Sequence, residues 1–303
     1  MNTNHAAASA ACFTTNPLRV IHPRFAQFPK SLADRAQTAR LAGVPVLLAH
    51  PDWEQPAPTV LWLHGRTVSK ELDPGRYLRW IRSGIAACAI DLPGHGERFD
   101  AEMQSPQRSL DLIGQAVSEL DGIVAALGGA DFKNVFDSQR LAIGGMSAGG
   151  MVTLRRLCDP HPFLAAAVEG TTGWLDGLYS AQPGQTAGTR ASWAVRHAPE
   201  QIAALDASAH LDSWRPLPLL ALHNEGDTVV PITGQRRFIE QLRDHYRRRG
   251  ADPDLVQLRT YKDTGAPQEH AGFGRSSNDA KNTQVEFLTR VLHPSPPERA
   301  GVV

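Results

Sequence analysis

The sequence predicts an α/β fold, a mainly parallel central sheet flanked by helices on both faces. Three observations carry that expectation. Short apolar runs alternate with segments of helical periodicity from residue 44 onward. The runs are largely apolar throughout, as strands buried on both faces require. Each also ends in a cluster of Gly, His, Asp or Ser, at the carboxyl ends where parallel sheets gather their functional groups.

In chain order, residues 1–28 read as a loosely ordered arm ahead of a single domain over 29–303. "KSLADRAQTARLAG" (30–43) reads as a short amphipathic helix, and "VPVLLAHP" (44–51) as a strand closed by proline. Strands follow over 58–65, 84–96, 139–147, 163–170, 216–227 and 255–263. Helical patterns lie between them over 70–83, 107–127, 148–158, 232–249 and 277–292. Residues 171–215 break the rhythm: Trp174, Leu175, Leu178, Tyr179, Trp193 and Trp214 stand among glycines and charges, with no strand pattern before Pro216. So long a stretch is read as a small helical cap inserted after a strand.

Composition narrows the function. Among 303 residues, 31 basic side chains offset 31 acidic ones, leaving no field to draw nucleic acid or anionic lipid. A small-molecule substrate is the expected partner, with a homodimer the assembly left open. No run approaches the roughly 18 apolar residues of a membrane helix. The opening "MNTNHAAASAACFTT" lacks early Lys or Arg, so a soluble, cytoplasmic protein is expected. Cys12, Cys88 and Cys158 form no CxxC pair, and Cys88 and Cys158 read as small buried thiols. Neither metal nor organic cofactor is implied.

The chemistry centres on "IGGMSAGG" (143–150), where Gly145-Met146-Ser147-Ala148-Gly149 fits G-x-S-x-G between a strand and a helix. A nucleophile on so tight a turn needs tiny residues two before and two after it, and the helix N-terminus then aims amide donors at developing negative charge. A serine hydroxyl also needs a base, and the base an orienting acid. Asp227 follows the strand "LPLLALH"; Glu225 competes with it, but Gly226 permits a turn and Val229-Val230-Pro231 would pin the loop. His270 lies in the Gly- and Pro-containing loop after the last strand. The other late histidines, His245 and His293, read as surface. The loop after "LWLH" puts the amide of Arg66 where a second oxyanion donor belongs, beside that of Ala148. The Arg66 side chain either stands at the mouth of the site, favouring a substrate with a carboxylate or other acceptor, or is solvated. His64 reads as a residue bracing the loop, and His95 with Glu97 as ties in a rigid turn.

Together, "LHGRT" (63–67), "DLPGHGERFD" (91–100), "GGMSAGG" (144–150), "HNEGDTVVP" (223–231) and His270 resemble the α/β-hydrolase superfamily, in particular its dienelactone-hydrolase and prolyl-oligopeptidase-like esterase branch. The resemblance spans about residues 40–293. It implies Ser147 as nucleophile, His270 as general base and then acid, Asp227 as orienting acid, and Arg66 and Ala148 as oxyanion donors. Dienelactone hydrolases proper use cysteine, so their reaction is not expected. The chain has no room for the propeller of prolyl oligopeptidases, which argues against endopeptidase action. Trp174, Tyr179 and Trp193 either select the substrate or pack the cap. The expected activity is that of a serine carboxylesterase; an amide hydrolase, a thioesterase and a non-catalytic ligand-binding protein are the alternatives.

Overall fold

The computed structural model describes residues 27–132, 134–180 and 195–293. Eight strands form one sheet: β1 (Ala36–Leu41), β2 (Val44–Ala49), β3 (Ala57–Leu63), β4 (Ala86–Ile90), β5 (Phe136–Met146), β6 (Ala165–Glu169), β7 (Leu219–Asn224) and β8 (Val256–Tyr261). Their order is β1-β2-β4-β3-β5-β6-β7-β8. The pairs β1/β2 and β2/β4 are antiparallel and all others parallel. The helices are α1 (Lys30–Ala33), α2 (Pro74–Arg82), α3 (Ser109–Leu127), α4 (Ala148–Arg156), α5 (Leu175–Tyr179), α6 (Pro199–Leu205), α7 (Ile232–Arg248) and α8 (Ser277–Leu292).

The apolar runs are continuous because both faces are covered. Along β3, Leu61 and Leu63 join the core beneath α3, α4 and α7, while Val60 and Trp62 join the core beneath α1, α2 and α8. In β4, Cys88 faces the first core and Ala87 and Ala89 the second. The period of two makes each strand supply both layers. Burial also raises the Cys158 thiol to about 12.

The expected helix over 30–43 is overturned. Only Lys30–Ala33 is helical, and Ala36–Leu41 forms edge strand β1. Ala42 (φ 48°) and Gly43 (φ 82°) are both left-handed, which is the geometry of a two-residue turn between antiparallel strands. That turn pairs Leu41 with Val44 and Ala36 with Ala49, and the burial of β1 at its ends suits a strand at the sheet's rim. Helix α2 begins later than the sequence pattern, at Pro74, because Asp73 caps it by accepting from the Arg76 amide.

Between β6 and β7 the described residues form α5, α6 and a 3-10 stretch over Ala207–Ser213. Helix α6 is tied to α3 by Gln201 Nε2 donating to Asp111 Oδ1 at 2.6 Å, and to α4 by Arg155 Nε donating to the Ala204 carbonyl at 2.9 Å. Among the described residues no helix is long and apolar enough to cross a membrane.

Candidate active site

Ser147 is the hinge between β5 and α4, with φ 53° and ψ −118°. A non-glycine residue held there is strained, and the surroundings hold it in place. Its amide donates to the Glu169 carbonyl at 2.9 Å, and Thr171 Oγ1 donates to its carbonyl at 2.8 Å. The small flanking residues are required by contact. A Cβ on Gly149 would lie 2.2 Å from the Leu63 carbonyl oxygen, and one on Gly145 would lie 2.4 Å from the Gly149 carbonyl carbon. The start of α4 can therefore pass directly behind the end of β3.

The Ser147 hydroxyl donates to His270 Nε2 at 2.9 Å, and His270 Nδ1 donates to Asp227 Oδ2 at 2.8 Å. A carboxylate only accepts, so the proton of a neutral imidazole lies on Nδ1 and Nε2 is free to act as an acceptor. Asp227 is buried, and its other oxygen accepts from the Val229 and Val230 amides at 2.8 Å each. Those amides, with Asn224 Nδ2 donating to the carbonyls of Glu269 (2.6 Å) and Gly272 (2.9 Å), lock the acid loop to the histidine loop. Glu225 turns away: it accepts from Thr260 Oγ1 at 2.9 Å and faces Lys262 and Arg236.

The loop after β3 comes up beside the serine, with a Cβ placed on Gly65 falling 3.5 Å from Ser147 Cβ. Neither the Arg66 amide nor the Ala148 amide donates to a backbone acceptor among the described residues. His64 braces the loop, donating from Nδ1 to the Gly65 carbonyl (2.6 Å) and accepting at Nε2 from the Leu92 amide (3.0 Å). Burial pushes its imidazole down to about 4, so it stays neutral. His95 likewise accepts from the Thr67 amide at 2.9 Å and donates to the Pro93 carbonyl at 2.8 Å. Lys70 bonds Asp91 Oδ2 at 2.7 Å and Glu97 Oε1 at 2.9 Å beneath the same turn.

A cavity of about 760 Å³ crosses the carboxyl edge of the sheet over Ser147 and His270. Its end toward α3 and α5 is lined by Pro106, Ile113, Met151, Tyr179 and Val230. Its other end carries charge: Asp73, Arg76, Glu169 and Lys281. Of the aromatic candidates, Tyr179 lines the cavity and donates to Ser109 Oγ at 3.1 Å. Trp174 does not: its ring lies under the Arg237 guanidinium, 3.9 Å from the centroid, because the start of α5 packs it toward α7. Trp193 lies outside the described residues. His245 is buried rather than on the surface, with Nε2 donating to the Trp214 carbonyl at 2.9 Å.

The charged end was not legible in the sequence. Glu169 closes the buried strand β6 and binds Arg76 through two bonds of 2.6 and 2.8 Å. Burial works to lower the Arg76 guanidinium, but the Glu169 and Asp73 carboxylates outweigh it and raise it. At Asp73 burial works upward, and the Arg76 and Lys281 cations bring the carboxyl below its ordinary range. The only sequence signal was a glutamate ending an apolar run. Among the described residues no cluster of His, Cys, Asp and Glu is arranged to hold a metal ion.

Comparison with known proteins accords with this architecture. Residues 114–295, more than half of the sequence, match the prolyl oligopeptidase family. The chain belongs to the prolyl oligopeptidase family. Its relatives include Esterase YjfP of Escherichia coli, 28% identical over 214 residues that span 68% of this chain and 84% of the relative. Another is Putative esterase YitV of Bacillus subtilis, 24% identical over 227 residues, spanning 72% and 87%. Among solved structures, TT1662 from Thermus thermophilus superposes with a TM-score of 0.63 at 21% identity, covering 86% of this chain and 100% of that one. This member of the prolyl oligopeptidase family thus has the α/β-hydrolase fold.

Proposed function

We propose that the chain is a serine hydrolase that cleaves carboxylic esters of small to medium size through an acyl-enzyme. The observation that carries this reading is the hydrogen-bonded row Ser147–His270–Asp227, at a strained strand-to-helix turn that opens into the cavity. The esterase names of two relatives support the choice of ester.

Ser147 Oγ attacks the ester carbonyl as His270 Nε2 takes its proton. The oxygen that becomes negative sits against the amides of Arg66 and Ala148, which have no backbone acceptor of their own among the described residues. His270, now charged, is stabilised by Asp227 and returns its proton to the departing alcohol. Water then enters against the same base, and the acid leaves. Tyr179 shapes one end of the cavity.

The test is initial rates on p-nitrophenyl acetate, butyrate and octanoate for the wild type and Ser147→Ala, with a matched anilide and thioester. Ester turnover that disappears in the variant supports the reading. Turnover of the anilide or thioester with the esters inert would replace it with an amide hydrolase or thioesterase, and a fully active variant would remove Ser147 from the mechanism.

A further inference from the structure

The two ends of the cavity differ in whether their charge is balanced. At the end near α2 and α8 every cation has a carboxylate. Arg76 uses all its N–H groups on Glu169, Asp73 and Gln284, and Lys281 bonds Asp73 Oδ1 and Ser277 Oγ at 3.1 Å each. That end offers a ligand no net charge. Arg66 differs. Its side chain lines the cavity beside Ser147, is partly buried, and among the described residues bonds only a neutral group, the Gln104 carbonyl, through Nη2. Its Nε is buried without a hydrogen-bond partner, and no carboxylate lies within salt-bridge distance among the described residues. Burial lowers its guanidinium; the Tyr179 phenol works against the shift, and no carboxylate does.

A guanidinium removed from water without a counter-charge is costly, and an orphaned N–H adds to that cost. In a ligand cavity the natural remedy is an anion brought by the ligand, for which the forked donor geometry of arginine is suited. The geometry points to Arg66 as a specificity-determining residue that receives a carboxylate carried by the substrate a few atoms from the scissile ester. The inference rests on the ester-hydrolase reading. The carboxylate can belong to the acyl part, as in a monoester of a short dicarboxylic acid, or to the alcohol part, as in an ester of a hydroxy acid.

The experiment measures kcat/KM for two matched pairs: monoethyl against diethyl glutarate, and 4-acetoxybutanoate against its methyl ester. The wild type, Arg66→Met and Arg66→Lys are compared. A charge-assisted hydrogen bond predicts that the wild type favours the anionic member of one pair by ~10- to ~100-fold. Arg66→Met should abolish that preference and Arg66→Lys restore part of it. The pair that shows the effect identifies which side of the ester carries the carboxylate. The ratio is the decisive readout: a residue that only braces the loop would slow both members equally and leave the ratio unchanged, which would overturn the inference, as would a wild-type preference for the neutral esters. Glutarate titrated calorimetrically into wild type and Arg66→Met keeps the two claims separate. If no ester is turned over, the hydrolase reading fails, while glutarate binding lost in Arg66→Met still upholds the anion site and equal or absent binding refutes it.

Discussion

Replacing Asp227 with asparagine probes how the acid sets the histidine tautomer. One Asp227 oxygen accepts two backbone amides at 2.8 Å, and the other accepts from His270 Nδ1. An asparagine has one acceptor to serve both places. Turning its NH2 toward the Val229 and Val230 amides would set donors against donors and lose two buried bonds, at about 1 kcal/mol or more each. The carbonyl therefore stays on the amides and the NH2 faces His270. Nδ1 must then accept, which moves the imidazole proton to Nε2, where it points at Ser147 Oγ and blocks proton removal. The known effect of this wrong tautomer in a serine triad is ~10⁴-fold in kcat, or about 5 kcal/mol of barrier. We expect a loss of ~10³- to ~10⁴-fold on p-nitrophenyl butyrate at pH 7, with thermal unfolding near the wild-type temperature because the amide bonds survive. Glu225→Gln, whose carboxylate faces Thr260 and Lys262 instead, should stay within about threefold of wild type. A folded Asp227→Asn protein retaining more than a tenth of wild-type kcat, or a larger loss in Glu225→Gln, would refute the assignment of the acid.

Gly149→Ala puts a methyl 2.2 Å from the Leu63 carbonyl oxygen, a backbone clash that should cost about 3 kcal/mol or more and show as a sharp drop in unfolding temperature. Tyr179→Ala should change KM and acyl-length preference, whereas Trp174→Ala, outside the cavity, should leave acyl-length preference alone and be read in stability. Acidification should lower the unfolding temperature. His64 is depressed from 6.5 to about 4 by burial, so the unfolded chain binds its proton first, and stability present above pH 6.5 is lost as pH falls toward 4, on the order of 3 kcal/mol from this group. An unfolding temperature that rises or stays flat between pH 7 and 4.5 would contradict this. Glu169→Gln leaves Arg76 buried with a neutral partner and should destabilise by about 3 kcal/mol, while an unchanged unfolding temperature would show the pair to be dispensable.

What was legible in the sequence was local. The strands could be read because burial on two faces makes each an unbroken apolar run, and Ser147 could be found because a strand-to-helix turn with β3 passing behind it demands Gly145 and Gly149. The order of Asp227 and His270 followed from their places after β7 and β8. Residues 30–43 were misread because Leu32, Ala33, Ala36 and Ala39 mimic a helical stripe, while the deciding feature, a left-handed Ala42–Gly43 pair, is a property of the turn alone. His245 shares the spacing of Phe238 and Leu242 on α7, and that face is buried against Trp214, so periodicity outweighs its polarity. Arg76 and Glu169 lie 93 residues apart, and their bond exists only because α2 docks on β4 beside α8, from where the Arg76 side chain reaches over Trp62 to the end of β6. No pattern within either segment records it.

That bond ties the strained turn to the opposite face of the sheet. The Ser147 amide is held by the carbonyl of Glu169, whose carboxylate is gripped by Arg76 and Gln284. Arg76 in turn lies over Trp62, 4.2 Å from the ring centroid, and Gln284 belongs to α8. A buried ion pair gives little net stability, because desolvation consumes most of its attraction. Its geometry is nevertheless stiff, with bonds of 2.6 and 2.8 Å in a bidentate fork. Residue 169 thus meets Ser147 through its main chain and the α2–α8 layer through its side chain. A left-handed serine costs about 1–3 kcal/mol and persists only where its neighbours over-determine it. Glu169 and Thr171 supply that constraint from one strand end, so the position of Ser147 Oγ against His270 is set by packing on both faces of the sheet rather than by the loop in which the serine lies.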